Sequence, residues 1–311
     1  MNLLITGSSG FLGSIISQYF ENTIQDFVWK ISRTKTELER SIHVDLSKEI
    51  PNLKNLSFDL VIHCAGKAHI IPKTLEEKQS FYTVNVEGTK NLLLGIETLT
   101  IKPKAFVFIS SVAVYGISSG NLLPETTILA AKDPYGQSKI EAEKLVWEWG
   151  LKNNITIAIL RLPLVVGENP PGNLKNMLNA IKKGYYFRIG DGKAKRSMVL
   201  GKDVAKVIPI VATKGGIYNL TDGHHPTFGE LENILLLSYH IKRRIKSIPM
   251  PIAKVLAYIG DSIEKITKKP FIFNSNKLEK ITSSLTFSDT LARENLGWNP
   301  VSILNHYKPK Y

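Results

Sequence analysis

The segment MNLLITGSSGFLG, residues 1–13, joins a short apolar run to three glycines spaced three residues apart. The run Asn2–Thr6 predicts a buried strand. Gly7 permits a tight turn after it, Gly10 lets a pyrophosphate approach the main chain, and Gly13 lets the following helix pack closely on the strand. The unpaired N–H groups at the start of that helix favour a negative charge. The residues predicted to bind a dinucleotide here are Gly7, Gly10, Phe11, Leu12 and Gly13.

The first half of the chain repeats this alternation of apolar runs and helix-length segments. Strands are also predicted at Phe27–Ile31, Ser41–Val44, Asp59–Cys64, Lys104–Ser110 and Ile155–Arg161, and helices at Phe11–Phe20, Gln79–Thr98 and Pro134–Lys152. The strands are nearly continuous in Val, Ile, Leu and Phe, which is typical of a parallel sheet covered by helices on both faces. The sequence therefore predicts an α/β fold with a doubly wound parallel sheet of the Rossmann type.

A loop rich in proline and glycine follows Arg161 and predicts a change of domain. We expect a dinucleotide-binding Rossmann domain over residues 1–162, to which later segments can return. A smaller α+β lobe over residues 163–311 is expected mainly to bind substrate. Beyond the loop, helices are predicted at Phe228–Ser238 and Ile252–Ile266, and a short strand at Gly216–Leu220.

The composition is that of a globular protein. Hydrophobic residues make up 43% of the 311 residues and charged residues 22%, which excludes a disordered or collagen-like chain. Cys64 is the only cysteine, so an intramolecular disulfide is excluded and a reducing compartment is indicated. The sequence shows neither a charged leader nor an apolar stretch of membrane-spanning length, and we expect a cytoplasmic location.

The chain is basic, with 40 Lys and Arg against 27 Asp and Glu and a formal net charge of +13. Such an excess can serve nucleic acid, anionic lipid or a phosphorylated substrate. Its densest run, Lys242–Lys246, has no interleaved aromatic residues, which favours a solvated face over a nucleic-acid groove. We therefore expect anionic substrates or solubility to explain the charge, and no nucleic-acid partner.

The helix predicted at Ile252–Ile266 carries an apolar stripe just after the basic run. The stripe contains Val255, Leu256, Ile259 and Ile263 at helical spacing. Packing in the core of the second lobe is the favoured interpretation. The alternative is contact with a membrane surface or a membrane-bound transferase. We expect core packing, and hence no membrane contact.

Tyr135 and Lys139 lie four residues apart in the segment YGQSK and share one face of a predicted helix. The charge of Lys139 and an oxidised nicotinamide would lower the pKa of the phenol and make Tyr135 a general acid/base. Lys139 would also donate to the ribose hydroxyls of the nicotinamide. Ser111 follows a predicted strand, where parallel sheets bind ligands, and its hydroxyl can bridge the phenol and a sugar oxygen. We predict that Ser111, Tyr135 and Lys139 are catalytic and no metal is required.

In folds of this class, a residue at the end of the second strand contacts the ribose of the adenosine. Here the segment is Lys30-Ile31-Ser32-Arg33, without the expected acidic residue. An arginine offers a charge-assisted fork to a 2′-phosphate, whereas a carboxylate would accept from a free hydroxyl. We therefore predict that Ser32 and Arg33 bind the cofactor, and NADP is favoured over NAD; an exposed Arg33 without a role is the alternative.

Several motifs resemble those of the extended short-chain dehydrogenase/reductases. They are TGxxGFLG at Thr6–Gly13, HCAG at His63–Gly66, NVEGT at Asn85–Thr89, Ser110-Ser111 through Tyr115-Gly116, Tyr135-x-x-x-Lys139 and LGWNP at Leu296–Pro300. The chain is similar above all to nucleotide-sugar 4-epimerases of the UDP-glucose 4-epimerase type and to 4-keto reductases of surface-polysaccharide synthesis. The resemblance covers nearly the whole chain and implies a UDP-sugar substrate and a homodimer built on paired helices.

The resemblance also implies roles for single residues. Asp45 and Leu46 would contact adenine, and Ala65 and Gly66 would line the diphosphate and ribose. Asn85 would lie near the cofactor. In the second lobe, Asn173 and Leu174 would receive the diphosphate and uridine, and Arg196 would clamp the pyrophosphate. The second arginine expected near the C-terminus is missing, and Lys277 and Lys280 stand in that segment.

The residues after Ser111 narrow the reaction. A 4,6-dehydratase of this family would need an Asp-Glu pair there, whereas this chain has Val112 and Ala113, which cannot exchange a proton. A UDP-hexose 4-epimerase and a UDP-4-keto-6-deoxyhexose 4-reductase both stay open. An alternative of another class is a regulator that binds NADP without turnover.

Overall fold

The computed structural model describes the chain except for residues 25–26, 35–38, 69–71, 169, 269–270, 272 and 309–311. The strands are β1 (Asn2–Thr6), β2 (Phe27–Ser32), β3 (Ser41–His43), β4 (Leu60–His63), β5 (Ala105–Ser111), β6 (Gly120–Leu123), β7 (Thr156–Leu162), β8 (Leu164–Val166), β9 (Phe187–Ile189), β10 (Met198–Leu200), β11 (Gly216–Asn219), β12 (Lys246–Ile248) and β13 (Leu285–Phe287). The helices are α1 (Phe11–Tyr19), α2 (Leu75–Tyr82), α3 (Gly88–Glu97), α4 (Pro134–Asn153), α5 (Gly172–Lys183), α6 (Gly201–Lys214), α7 (Phe228–Ser238), α8 (Met250–Thr267), α9 (Ser275–Thr282), α10 (Thr290–Leu296) and α11 (Ile303–His306).

Seven strands form one parallel sheet in the order β11-β7-β5-β4-β1-β2-β3. The order reverses direction between β1 and β4, which is the switch point of a doubly wound sheet. Helices cover both faces, with α1 and α6 over one core and α3 and α4 over the other. The predicted α/β Rossmann class is therefore confirmed.

The helix predicted at Gln79–Thr98 begins four residues earlier than expected. Thr74 caps α2 by accepting from the backbone N–H of Glu77 at 3.1 Å, and the Glu77 carboxylate accepts from the backbone N–H of Thr74. This capping box stabilises the start of the helix. A π-helical turn over Thr83–Glu87 then leads directly into α3. The apolar pattern missed the first turn because its residues are polar or exposed.

One strand after the Pro/Gly loop pairs with the main sheet. β11, expected as the strand Gly216–Leu220, runs parallel to β7 at the sheet's edge, and α6 packs over β5 and β7. These segments lie beyond residue 162 and still belong with the sheet. The division at that residue stays a prediction.

The second half also contains two short parallel pairs, β8 with β10 and β9 with β12, and its strand β13 pairs with β6 of the first half. A separate apolar cluster joins α5, α7 and α11, with Leu174, Leu178, Leu231 and Ile303 among its buried members. The predicted helix Phe228–Ser238 is confirmed as α7.

Helix α8 corrects one expectation. Core packing was expected for its apolar stripe, yet Val255, Leu256 and Ile259 are 58%, 43% and 51% exposed. The residues of α8 that are buried are instead the small Ala253, Ala257 and Gly260. Helical spacing identified a stripe, but spacing alone cannot tell whether another element covers it. Among the described residues, no helix has both the length and the hydropathy to cross a membrane.

Candidate functional site

The glycine turn has the geometry of a dinucleotide cradle. Gly7 has a φ of +70°, and a Cβ there would lie 2.6 Å from the backbone N of Ala65. A Cβ on Gly13 would lie 2.1 Å from the Gly7 carbonyl oxygen. Gly10 is the N-cap of α1 and carries no side chain to cap its first N–H groups. The close main-chain approach and these donors fit a diphosphate at the start of α1.

A buried chain of hydrogen bonds fixes the loop opposite the turn. The Thr89 hydroxyl donates to the Asn85 carbonyl oxygen at 2.6 Å, so it accepts from Nε2 of His63 at 2.9 Å. Nδ1 of His63 then accepts from the Thr6 hydroxyl at 2.5 Å, and the Thr6 oxygen accepts from the Ala65 N–H at 3.1 Å. Burial lowers the pKa of His63 to about 3, so the imidazole is neutral in this role.

Asn85 connects that loop to the helix of the predicted catalytic pair. Its Oδ1 accepts from the Lys67 N–H at 2.7 Å, and its Nδ2 donates to the Lys67 carbonyl at 3.1 Å. Nδ2 also donates to the Ser138 hydroxyl at 2.8 Å, which in turn donates to the Tyr135 carbonyl at 2.7 Å. Asn85 therefore holds the first turn of α4 against the loop after β4.

The Ser111 and Tyr135 side chains meet at the carboxyl end of β5. Ser111 caps a short 3₁₀ turn over Val112–Tyr115, and its hydroxyl lies close enough to the phenol of Tyr135 to lower the pKa of that group. The half-buried phenol ring packs 6.1 Å from the ring of Phe81. Burial raises the pKa of Tyr135 and outweighs the lowering by Ser111. The phenol is therefore protonated near neutral pH. The lowered pKa predicted from the sequence refers to the site with an oxidised nicotinamide beside Lys139, and it stays a prediction.

Lys139 is buried beside the same strand. Its Nζ donates to the Ile109 carbonyl oxygen at 2.8 Å and lies 4.6 Å from the centre of the Phe108 ring. A Cβ on Gly66 would lie 3.3 Å from this Nζ and 3.1 Å from Oδ1 of Asn85. Burial lowers the pKa of Lys139 to about 8, so the ammonium persists at neutral pH. The structure thus brings Gly66, Asn85 and Lys139 together.

A second polar network lies below this site. Glu143, one turn after Lys139, is buried and pairs with Arg161 on β7 at 2.8 Å. The Ser110 hydroxyl donates to the same carboxylate. Arg161 also donates to the Tyr115 hydroxyl at 3.2 Å, and that hydroxyl donates to Oδ1 of Asn219 on β11 at 2.8 Å. The network joins α4 to three strands of the sheet.

The residues predicted to contact the adenosine lie at the ends of β2 and β3, on the opposite side of β1 from β4. Ser32 ends β2, and Arg33 follows it as an exposed side chain. A hydrogen bond from the Ser47 side chain is the main cause that lowers the pKa of the Asp45 carboxyl. The nearby Arg33 guanidinium lowers it further. Leu46 is buried in the core, and its carbonyl accepts from Asn91 at 2.8 Å. Arg33 is therefore the exposed member of this set, and Asp45 is partly buried.

Two of the substrate residues predicted in the second lobe lie on α5, and the third, Arg196, lies shortly before β10. Asn173 is exposed in the first turn of α5, while Leu174 is buried in the cluster under that helix. Arg196 donates to the carbonyl oxygens of Lys195, Ser283 and Lys280, and its guanidinium lies 5.5 Å from the Phe228 ring. These bonds attach Arg196 to the end of α9. Its predicted contact with a diphosphate stays a prediction.

Sequence reasoning missed Ser138, Glu143 and Arg161. Glu143 had a signal, since Tyr135, Lys139 and Glu143 recur every four residues and so share one face of α4. Arg161 had none, because its contact with Glu143 depends on β7 lying beside β5. Within the described residues, no three His, Cys, Asp or Glu side chains cluster in a way that could hold a metal ion.

Comparisons with known proteins agree with this geometry. Residues 3–221 match the model of the NAD dependent epimerase/dehydratase family. The chain is 28% identical over 310 residues to the N-acetyl-alpha-D-glucosaminyl-diphospho-ditrans,octacis-undecaprenol 4-epimerase of Escherichia coli O157:H7, covering 93% of this chain and 88% of that protein. It is 27% identical over 321 residues to a UDP-glucose 4-epimerase of Vibrio cholerae, covering 97% and 92%.

A solved structure shows the same fold. The crystal structure of UDP-glucose 4-epimerase from Thermotoga maritima with UDP-glucose matches with a TM-score of 0.73 and 23% identity, covering 99% of this chain and 96% of that one. The matched family region includes the glycine turn, the Ser111–Tyr135 contact and Lys139. The chain therefore belongs to the NAD dependent epimerase/dehydratase family.

Proposed function

We propose that this chain transfers a hydride at the 4-position of a diphosphate-linked sugar, with Tyr135 as general acid/base. The reaction is that of a UDP-hexose 4-epimerase or of a UDP-4-keto-6-deoxyhexose 4-reductase. The observation that carries the proposal is the close approach of the Ser111 hydroxyl to the Tyr135 phenol at the carboxyl edge of the sheet, one helical turn from the buried ammonium of Lys139.

The residues divide the chemistry among themselves. A bound nicotinamide supplies the acceptor or donor of the hydride. The neutral phenol of Tyr135 holds a proton that it can give to a ketosugar oxygen, and the Ser111 hydroxyl orients that oxygen against the phenol. Lys139 would donate to the nicotinamide ribose with the N–H groups that the Ile109 carbonyl does not take, and its charge would favour the phenolate once the proton has left.

Dehydration is disfavoured at this site. The two residues after Ser111 are Val112 and Ala113, and neither side chain can exchange a proton. The backbone N–H of Ala113 donates to Oγ of Ser111 at 3.2 Å, so the turn serves to orient that hydroxyl. Proton transfer is left to the phenol, which suits epimerisation or ketone reduction.

Cofactor choice bears on which of the two reactions occurs. An epimerase retains its cofactor through the cycle, whereas a reductase exchanges it. Arg33 is exposed after β2, where a guanidinium can bind a 2′-phosphate, and this supports NADP and a reductase. The likeness to 4-epimerases supports the other reaction. The proposal therefore includes both reactions, epimerisation and ketone reduction.

Turnover with a substrate panel tests the proposal. Purified protein is incubated with UDP-hexoses, and with UDP-4-keto sugars plus NADPH or NADH, while absorbance of the reduced nicotinamide and stereochemistry at C4 are followed. Tyr135→Phe should abolish turnover and Ser111→Ala should lower kcat by roughly 10²–10⁴-fold. Tyr82→Phe, which removes a hydroxyl from a tyrosine outside the site, is the control. Cofactor binding without any turnover would favour the NADP-binding regulator instead.

A second substrate class has its own supporting observations. The Escherichia coli relative is named for a sugar diphosphate carried on undecaprenol, and this chain exposes an apolar helix in its second half. A polyprenyl diphosphate sugar presents the same sugar and diphosphate to Tyr135 as a UDP-sugar does. Comparing kcat/KM for the two carriers with one sugar distinguishes them.

A further inference from the structure

Helix α8 has two faces of opposite character. The inner face is made of small residues, and a Cβ on Gly260 would lie 1.9 Å from the Phe273 carbonyl oxygen, so this face packs tightly on the lobe. The outer face carries large apolar side chains at a spacing of three and four residues. Its exposed members, between 43% and 82% exposed, are Ile252, Val255, Leu256, Ile259 and Ile266.

The acidic and basic side chains of α8 differ in their partners and their exposure. Asp261 accepts from the backbone N–H and the hydroxyl of Ser275, and Glu264 accepts from the Asn274 amide at 3.0 Å. Both acids are therefore bonded to the segment that packs against the helix. The cationic residues Lys254, Lys265 and Lys268 are exposed. The outer side of α8 is consequently apolar and positively charged.

The positive surface continues beyond the helix. The exposed residues Lys242, Arg243, Arg244 and Lys246 precede α8, and no ion pair found among the described residues involves them. In the pairing of β12 with β9, Lys246 lies opposite Phe187, whose ring is 47% exposed. Tyr185, two residues earlier, is 60% exposed. Exposed aromatic rings beside cations are typical of a surface that meets a membrane interface.

We propose that the outer face of α8 docks on an anionic lipid bilayer surface. The apolar stripe lies parallel to the membrane and enters the boundary between head groups and acyl chains. Lys254, Lys265 and the basic run at Lys242–Lys246 then contact lipid phosphates, and the aliphatic stems of the lysines cover the edge of the stripe. The net charge of +13 draws the chain to such a surface.

The charge pattern favours lipid over a second copy of the chain as the occupant. A twofold contact would place the same face of α8 on both sides, so its lysines would face each other. The two acids of the helix offset these lysines only in part, because both carboxylates also accept hydrogen bonds from Asn274 or Ser275. Lipid phosphates supply the opposite charge along the whole stripe.

The docked arrangement would place the candidate sugar site close to the bilayer. Helix α9 packs against α8, and Lys280 near the end of α9 accepts a hydrogen bond from Arg196. Arg196 is the predicted diphosphate-binding residue, so this consequence, unlike the docking itself, rests on the proposed function. A diphosphate sugar held by a lipid carrier would then reach the site from the membrane surface.

Vesicle flotation of the full chain tests the docking. Wild-type protein should float with vesicles of phosphatidylglycerol and phosphatidylcholine, and should bind far less to phosphatidylcholine alone. Val255→Glu with Ile259→Glu should reduce binding more than tenfold, because each carboxylate would have to enter the acyl boundary. Lys254→Glu with Lys265→Glu should reduce it by about fivefold or more for each change and weaken its salt dependence.

Matched controls separate docking from misfolding and from dimerisation. Leu151→Glu makes the same change at an exposed apolar position on α4 and should leave flotation unchanged. All variants should keep wild-type turnover of a water-soluble UDP-sugar if they fold, so loss of flotation with intact turnover supports docking. Wild-type flotation by the α8 variants overturns it. The proposal is also overturned if the α8 variants, without lipid, sediment with a different mass from the wild type, because that result would assign the face to a second copy.

Discussion

The carboxylate of Glu143 and the guanidinium of Arg161 form an ion pair at 2.8 Å with both side chains about 5% exposed. The pair stands one helical turn below Lys139 and fixes α4 against β7. Arg161 uses further donors on the Tyr115 hydroxyl and the Glu125 carbonyl. Helix α4, which carries Tyr135 and Lys139, is thus attached to the sheet by a buried ion pair.

Glu143→Gln should lower the free energy of unfolding by about 3–5 kcal/mol, because it leaves the Arg161 charge buried without its partner. Replacing both, with Glu143→Leu and Arg161→Met, should cost less than the sum of the single changes. Urea unfolding of Glu143→Gln, Glu143→Leu, Arg161→Met and the double variant measures these free energies. Glu148→Gln on the same helix removes the exposed partner of Lys144 and should change stability by less than about 0.5 kcal/mol. Equal effects of Glu143→Gln and Glu148→Gln would contradict this account.

Gly13→Ala should destabilise the chain by about 1–3 kcal/mol and weaken cofactor binding, since its Cβ would lie 2.1 Å from the Gly7 carbonyl oxygen. Gly88→Ala is the matched control, because the nearest atom to its Cβ is 3.7 Å away. That change should be neutral or slightly stabilising. Thermal unfolding with and without NADPH gives both quantities. A Gly13→Ala chain as stable as Gly88→Ala would show that the turn relaxes freely.

Acid should destabilise the chain partly through His63. Its pKa is lowered from 6.5 to about 3 by burial, so below 6.5 the unfolded chain binds a proton that the folded chain does not. The free energy of unfolding should therefore fall as the pH drops from 6.5 towards 3. The contribution of His63 to this fall is about 1.4 kcal/mol per pH unit. His63→Asn should remove that part of the slope, whereas His43→Asn, at an exposed position, should retain it. Parallel curves for wild type and His63→Asn would refute the assignment.

Arg33→Ala should weaken binding of NADPH by about tenfold or more, as expected for loss of a hydrogen bond to a charged group, and leave NADH binding unchanged. Arg40→Ala is the control, because that guanidinium is exposed in the same region and lies over the Phe27 ring at 4.7 Å. Dissociation constants from fluorescence titration provide the measurement. A wild-type preference for NADH would count against the NADP assignment.

The first half of the fold could be predicted from sequence because its signals are local. The strand Asn2–Thr6 and its turn are determined by neighbouring residues, and β1 has those bounds. The start of α2 at Leu75 was missed although Thr74 and Glu77 form a capping box, since polar residues there gave no apolar periodicity. Boundaries set by caps need side-chain hydrogen bonds rather than hydropathy to be recognised.

Other features depend on which distant segments become neighbours. The contact of Ser111 with Tyr135 was expected, because a strand end and a helix start meet at one edge of a parallel sheet. The raised pKa of Tyr135 in the chain without cofactor follows from burial, which no local pattern reports. The same holds for α8, where Val255 and Ile259 have the spacing of core residues and yet face outward. Periodicity defines a face but not its partner.

The position of β11 has a consequence for how the chain matures on the ribosome. Asn219 on this strand accepts from the Tyr115 hydroxyl, so the polar network beside the site includes a residue translated long after α4. A nascent chain that ends at β7 still lacks the edge strand and the cover that α6 provides. Until residues past 219 emerge, β7 therefore lacks its partner strand, and its apolar surface stays available to chaperones.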